Sequence, residues 1–169
     1  MTARIHNVLT GLFSGGYRQV SSPLAPDGTV RSAKGFGFGV PWPWEEVPLG
    51  AIQGASGTPD IAVGAPRTDG RTPLFTVTER GPWNGLDDID TQQMLRAFAS
   101  QHNARPKGVR RLALAGVRAQ ILQAWSHDGE VQLLMTSFGP NLLEGFLRVP
   151  ASGYLHHFDV FLSTWTWNR

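Results

Sequence analysis

The chain has 169 residues, of which 41% are hydrophobic and 17% charged, and this length and composition are typical of one folded domain. The formal net charge is +2, and so small an excess argues against nucleic-acid binding, so the basic cluster at residues 105–111 is interpreted as solvated. The sequence contains no cysteine, which excludes disulfides, thiol catalysis and thiolate zinc sites.

The first part of the chain predicts an amphipathic arm. Residues 4–13 have the spacing of a short helix, which would end at Gly15 and Gly16. A helix this short needs a surface to pack on, which is its own domain, a protein partner, a second copy of the chain or a membrane surface. The apolar residues of its stripe are Ile5, Val8, Leu9, Leu12 and Phe13.

The domain itself is predicted to begin after a linker. Residues 21–35 are rich in Ser, Pro and Gly and predict a linker or hairpin turn, with Asp27-Gly28 as the turn signal. Residues 1–33 are therefore predicted as arm and linker, and residues 34–169 as the domain. No signal peptide or transmembrane segment is recognised, so a cytoplasmic protein without stable membrane insertion is predicted.

Alternating apolar residues predict short strands in the first half of the domain. Phe36, Phe38 and Val40 alternate with glycines, which is typical of a strand that another backbone or a large side chain approaches closely. Further strands are predicted over 60–65 and 74–80. Asp90, with Gln93 three residues later, predicts the N-terminus of a helix over 91–103.

The second half predicts an antiparallel meander and a closing helix. Strands are predicted over 109–114, 117–125, 130–138 and 145–149, with Asp128-Gly129 as the strongest hairpin signal. Apolar residues at helical spacing from Tyr154 to Trp165 predict a helix that packs on the sheet.

Tryptophans are the candidate functional residues. The chain has six, of which Trp125 and Trp165 are predicted to be core. Trp42, Trp44 and Trp83 lie in predicted loops next to Pro or Gly. A tryptophan in such a loop either plugs the end of a sheet or anchors a partner.

Patterns that would indicate catalysis or metal binding are weak. Ser126-His127-Asp128 has the residue types of a catalytic triad but is interpreted as a turn, because consecutive residues cannot form the relay. His156 and Asp159 lie one helical turn apart and would be two ligands of a metal, whereas a complete site needs more. The acidic residues at 87, 88 and 90 are interpreted as helix N-terminal charges rather than a calcium loop. The sequence thus predicts no catalytic residue, no metal site and no cofactor.

The order of these elements resembles the Mog1/PsbP/DcrB-like superfamily, including LpqN-like proteins, over residues 34–167. The resemblance rests on Pro41-Trp42-Pro43-Trp44 after the first strand, Gly81-Pro82 before the capped helix, the strand start at 114–119, the hairpin at 124–129 and the closing helix at 154–167. The chain departs from the family where the glycine of a Pro-Gly-Trp turn is missing. The resemblance implies an α+β fold, an antiparallel sheet flanked by helices in an α/β/α sandwich.

The resemblance also implies binding rather than catalysis. The expected function is a non-enzymatic adaptor, chaperone or assembly component with a protein partner, and a bacterial secretion or multiprotein system is one setting that the family implies. Contact is expected through Trp42, Trp44, Trp83 and the arm residues, which also offer a route to a homo-oligomer. Two alternatives stay open: a small apolar-ligand-binding protein or enzyme with a pocket between sheet and helix, and a peripheral membrane role through the arm.

Overall fold

The computed structural model describes residues 17–52, 58–67, 71–84, 88–150 and 154–168. Strands and two α-helices account for most of this part of the chain, with a short helical turn at Leu49–Ala51. In chain order the elements are β1 Arg18–Gln19, β2 Gly28–Arg31, β3 Phe36–Val40, β4 Glu45–Glu46, β5 Ile61–Gly64, β6 Leu74–Pro82, α1 Asp88–Gln101, β7 Ala104–Leu114, β8 Val117–Ser126, β9 Gly129–Phe138, β10 Asn141–Val149, α2 Leu155–Ser163 and β11 Thr166–Trp167.

The strands form two sheets. The larger has eight strands in the order β1-β7-β8-β9-β10-β6-β5-β4, and the smaller has three in the order β11-β3-β2. All neighbouring strands are antiparallel except β1 and β7. Strands β7 to β10 follow one another as hairpins, as an antiparallel meander predicts. The predicted fold class, an α+β sandwich with an antiparallel sheet flanked by helices, is confirmed.

Tight turns connect the meander. Ala115 and Gly116 join β7 to β8 with positive φ values of 45° and 86°, as a two-residue type I′ turn requires. Strand β7 begins five residues before its predicted start at 109, and its register shifts between Pro106 and Gly108. This shift is a bulge, and it accommodates Pro106, which has no N–H to donate to a neighbouring strand. Strand β1 pairs with β7 at Leu112 and Ala113 and does not reach Pro106. Sequence pattern alone does not show that a strand passes through such a proline.

The segment predicted as arm and linker contributes strands to both sheets. Residues Arg18 and Gln19 pair in parallel with Leu112 and Ala113 of β7, and β2 pairs with β3 from Gly28 to Arg31. Its hairpin turn lies at residues 32–35 and not at Asp27-Gly28, where β2 begins. At least residues 18–31 therefore belong to the domain, because their backbone groups complete its sheets.

The main core lies between the larger sheet and a layer formed by the smaller sheet and α2. The Phe38 ring lies 5.4 Å from those of Phe75 and Phe161 and 5.3 Å from that of Trp165. Strand β3 is buried on both faces, and a Cβ on Gly37 would lie 2.6 Å from the Val30 carbonyl oxygen. This confirms that the alternating glycines of β3 permit a close approach.

Helix α1 packs on the opposite face of the larger sheet. Leu95, Phe98 and Ala99 of α1 cover apolar residues of β8 and β9 such as Leu122 and Leu133. The helix begins at Asp88, three residues before the predicted start, and its first turn carries Asp88 and Asp90. Acidic residues there are favourable because the helix N-terminus is partially positive.

Two tryptophans predicted as core differ in burial. Trp165 is 3% exposed and stacks on Phe36 and Phe38, so that prediction is confirmed. Trp125 is 48% exposed, so its prediction is wrong. The alternation of β8 assigned Trp125 a face of the sheet, but it lies next to the end of the strand, outside both apolar clusters.

Candidate functional site

The turn between β3 and β4 carries two of the candidate tryptophans. The Trp44 backbone N–H donates to the Pro41 carbonyl oxygen at 2.9 Å, and the Trp42–Pro43 peptide bond is cis, which makes this a type VI turn. The backbone N–H of Trp42 also donates to Asp27 Oδ2 at 2.5 Å. These bonds hold the turn to the segment that precedes β2.

The side chain of Trp44 points into the main core. It is 4% exposed and meets the rings of Tyr154 and Phe161 edge-on at 6.0 and 5.0 Å. Its indole N–H donates to Nδ1 of His157 on α2 at 3.0 Å. Of the two roles considered for a loop tryptophan, Trp44 therefore has the structural one, since it closes the end of the core. Its prediction as a partner-binding residue is wrong, because a ring buried against α2 is not accessible to a partner.

The side chain of Trp42 points to solvent. It is 78% exposed, the highest value among the large apolar side chains in the described part of the chain. Asp27, Glu45 and Glu46 are also exposed. Asp27 accepts the Trp42 backbone N–H, and β4, which carries the two glutamates, begins three residues after Trp42. We name the surface formed by Asp27, Trp42, Glu45 and Glu46 the Trp42 corner.

The other predicted partner-binding residues lie elsewhere. Trp83 follows β6, is half-buried and packs on the apolar cluster beneath α1, which is on the opposite face of the larger sheet from Trp44. The structure therefore does not bring Trp83 together with the Trp42 corner. The arm residues lie outside the described residues, and their role stays a prediction: Ile5, Leu9, Leu12 and Phe13.

The patterns weighed for catalysis and metal binding are structural where they are described. Ser126 Oγ donates to the Gly129 carbonyl oxygen at 2.8 Å and accepts the Asp128 backbone N–H at 3.2 Å, so this triplet is a turn. Asp159 pairs with Arg110 at 2.8 Å. Within the described ranges no three His, Cys, Asp or Glu side chains are placed to hold a metal ion. Neither α-helix there has the length and apolar character that crossing a membrane requires.

A buried polar pair was missed by the sequence analysis. Glu130 and Gln132 of β9 are 2% and 5% exposed, and Gln132 Nε2 donates to Glu130 Oε1 at 2.7 Å. Lys107 Nζ lies 3.5 Å from the same oxygen, while Glu130 Oε2 and Gln132 Oε1 have no hydrogen-bond partner among the residues that the structure describes. Both residues follow a hairpin turn, where polar residues normally face solvent. The one sequence signal for their burial was alternation along β9, which puts Glu130 and Gln132 on the same face of the sheet as the buried Leu134.

The burial of His157 and His102 predicts a pH dependence of stability. Burial, and then the charge of His156, lower the pKa of His157 below its ordinary value of 6.5, and burial also lowers the pKa of His102. The unfolded chain therefore binds more protons than the folded chain below about pH 6.5. We expect the free energy of unfolding to be constant above that pH and to fall as the pH drops below it.

Urea unfolding at several pH values between about 5 and 8 measures this effect. The variant His157→Gln should reduce the pH dependence, and the part that remains should come from His102. An unfolding free energy that rises on acidification through this range would contradict the assigned protonation of His157.

Comparison with known proteins supports the fold. No family model matches the chain, and no curated protein sequence is similar to it. Among solved structures, the chain is similar to cyanobacterial PsbP (CyanoP) from Synechocystis, with a TM-score of 0.55 and 13% sequence identity, over 87% of this chain and 96% of that chain. This similarity confirms the PsbP/Mog1-like fold that the sequence resemblance implied.

Proposed function

Starting from this PsbP-like fold, we propose that the protein is a non-enzymatic protein-binding component, an adaptor, chaperone or assembly factor of the cytoplasm, that contacts its partner through the Trp42 corner. The observation that carries this proposal is the Trp42 indole, 78% exposed on a turn whose backbone is held by hydrogen bonds on both sides.

An exposed tryptophan on a fixed turn is well suited to binding a protein. Tryptophan is enriched among the few interface residues that supply most of the binding free energy. A side chain on a fixed backbone loses less conformational entropy when a partner immobilises it. The buried ring of Trp44 holds the same turn against α2, so the core itself supports the position of Trp42.

The packing of the main core favours protein binding over the small-ligand alternative. That alternative requires a pocket between the larger sheet and α2, lined by Trp and His. The described residues fill that layer with aromatic rings, since the Phe75 ring lies 5.2 Å from Phe158 and 5.3 Å from Phe161. The Trp and His of the predicted pocket, Trp44 and His157, are bonded to each other.

The test compares two exposed tryptophans. Immobilised wild-type protein, Trp42→Ala and Trp125→Ala would each be incubated with lysate of the native organism, and retained proteins identified by mass spectrometry. We expect one protein to be retained by wild type and Trp125→Ala, and Trp42→Ala to weaken its binding about 30-fold. Equal retention on all three proteins would contradict a role for the Trp42 corner.

Folding of both variants is checked first by thermal unfolding. Trp42 is 78% exposed, so Trp42→Ala should change the free energy of unfolding by no more than about 0.5 kcal/mol, whereas replacing Trp125, which is 48% exposed, with alanine should cost about 1–3 kcal/mol. A loss of binding by Trp42→Ala at unchanged stability then reports on the surface and not on the fold.

A further inference from the structure

We infer that the partner segment recognised by the Trp42 corner is cationic, with an arginine side chain that stacks on the Trp42 indole and is attracted by the nearby carboxylates of Asp27, Glu45 and Glu46. This inference rests on the proposed function and adds the chemistry of the partner. It is argued from which carboxylates in the described residues form ion pairs with Lys or Arg and which do not.

Most carboxylates in the described part of the chain have a cation beside them. Asp90 has an interaction of its own, and Glu79 accepts a hydrogen bond from Asn141 Nδ2 at 2.9 Å. Within the described residues, the carboxylates that form ion pairs with Lys or Arg are Asp60, Asp88, Asp128, Glu130, Glu144 and Asp159.

The Trp42 corner differs from this pattern. Asp27, Glu45 and Glu46 are exposed, and none of them pairs with a Lys or Arg among the residues that the structure describes. In the described residues, the hydrogen bond that the Asp27 carboxylate accepts comes from a neutral backbone N–H, which leaves the charge of the carboxylate in place. The exposed Trp42 indole thus has three exposed carboxylates near it, one through the Asp27 hydrogen bond and two on the strand that begins three residues later, in a chain whose formal net charge is +2.

This combination matches an arginine-containing segment better than an apolar one. An indole attracts a cation over its face, and a guanidinium also stacks on it through its planar surface. Complementary charge steers the partner and excludes segments of like charge. A purely apolar segment would gain nothing from the three carboxylates and would have to displace their water.

The test uses two peptides, one of repeated Arg-Leu-Gly units and one with Gln in place of each Arg. Binding to the full chain is measured by fluorescence titration for wild type, Trp42→Ala and Glu45→Gln/Glu46→Gln. The control, Asp88→Asn/Asp128→Asn, makes the same change in net charge at two carboxylates that are 80% and 55% exposed. Sedimentation of the unliganded chain at low and high salt completes the experiment.

We expect the Arg peptide to bind wild type and the control equally, and Glu45→Gln/Glu46→Gln to bind it about tenfold more weakly. Trp42→Ala should also weaken binding, and salt at about 500 mM should reduce it. Equal binding of both peptides, each weakened by Trp42→Ala, would overturn the cationic partner and leave the proposed function standing.

Two other outcomes would also overturn the inference. One is an Arg peptide that fails to bind, or that binds all the variants as it binds wild type. The other is self-association of the chain that Glu45→Gln/Glu46→Gln abolishes. The Trp42 corner would then bind a second copy of the chain and not a separate partner, and the exposed Arg105 of β7 would supply the cation.

Discussion

Replacing Trp44 with alanine is expected to lower the free energy of unfolding by about 3–5 kcal/mol. The substitution removes a 4% exposed indole from between Tyr154 and Phe161 and leaves His157 Nδ1 without its donor. The cost therefore combines lost apolar burial, a cavity and a lost hydrogen bond. Urea unfolding followed by far-UV circular dichroism measures it.

The matched control is Trp42→Ala, which makes the same chemical change two residues earlier. Its effect on the free energy of unfolding should stay within about 0.5 kcal/mol, because the side chain is 78% exposed. If Trp44→Ala is too unstable to purify, Trp44→Phe preserves most of the packing and should cost about 1–2 kcal/mol. Equal effects of Trp42→Ala and Trp44→Ala would contradict the opposite orientations of these side chains.

The second large effect is expected at Gly129, which begins β9 after the hairpin turn. Its φ is +120°, and an added Cβ would lie 2.2 Å from the Val149 carbonyl oxygen and 2.8 Å from the Pro150 Cα. Both obstacles are backbone, so no side chain can turn aside to relieve the overlap. Gly129→Ala should therefore lower the free energy of unfolding by about 3 kcal/mol or more, through backbone strain and overpacking together.

Gly81→Ala is the matched control for this prediction. Within the described part of the chain, an added Cβ at Gly81 meets no atom within 4 Å, so its effect on the unfolding free energy should be within about 0.5 kcal/mol. Unfolding in urea measures both variants under the same conditions. A Gly129→Ala protein as stable as Gly81→Ala would contradict the close approach of the Val149 and Pro150 backbone to Gly129.

Local signals were sufficient to predict the meander and the helices. The hairpin at Asp128-Gly129 depends on a residue that tolerates positive φ, and glycine announces such positions in the sequence. Alternation along β8 and helical spacing in α2 also act over a few residues. The elements themselves were therefore predicted, although β7 begins five residues and β10 four residues before their predicted starts.

Pairings between distant segments were not predictable in the same way. Strand β1 has two residues and is a strand because β7 lies beside it, whereas its own sequence carries no pattern. Strand β2 lies in a segment rich in Ser, Pro and Gly, a composition that indicates a linker. Its pairing with β3 was therefore missed.

The candidate site was predicted in part for the same reason. Trp42 and Trp44 stand before and after Pro43, and nothing local distinguishes their side chains. Their directions depend on α2, whose His157 is 113 residues from Trp44 along the chain. The sequence places both tryptophans in one turn, and the tertiary contact decides which of them is core and which is surface.

The most direct test of the account is site-specific photo-cross-linking in cells of the native organism. The photoreactive residue p-benzoylphenylalanine would replace Trp42 in one protein and Trp125 in another, and cross-linked products would be identified by mass spectrometry. The account predicts a product with a separate protein from position 42 and none of that identity from position 125. No product from position 42, or the same product from both positions, would contradict binding through the Trp42 corner.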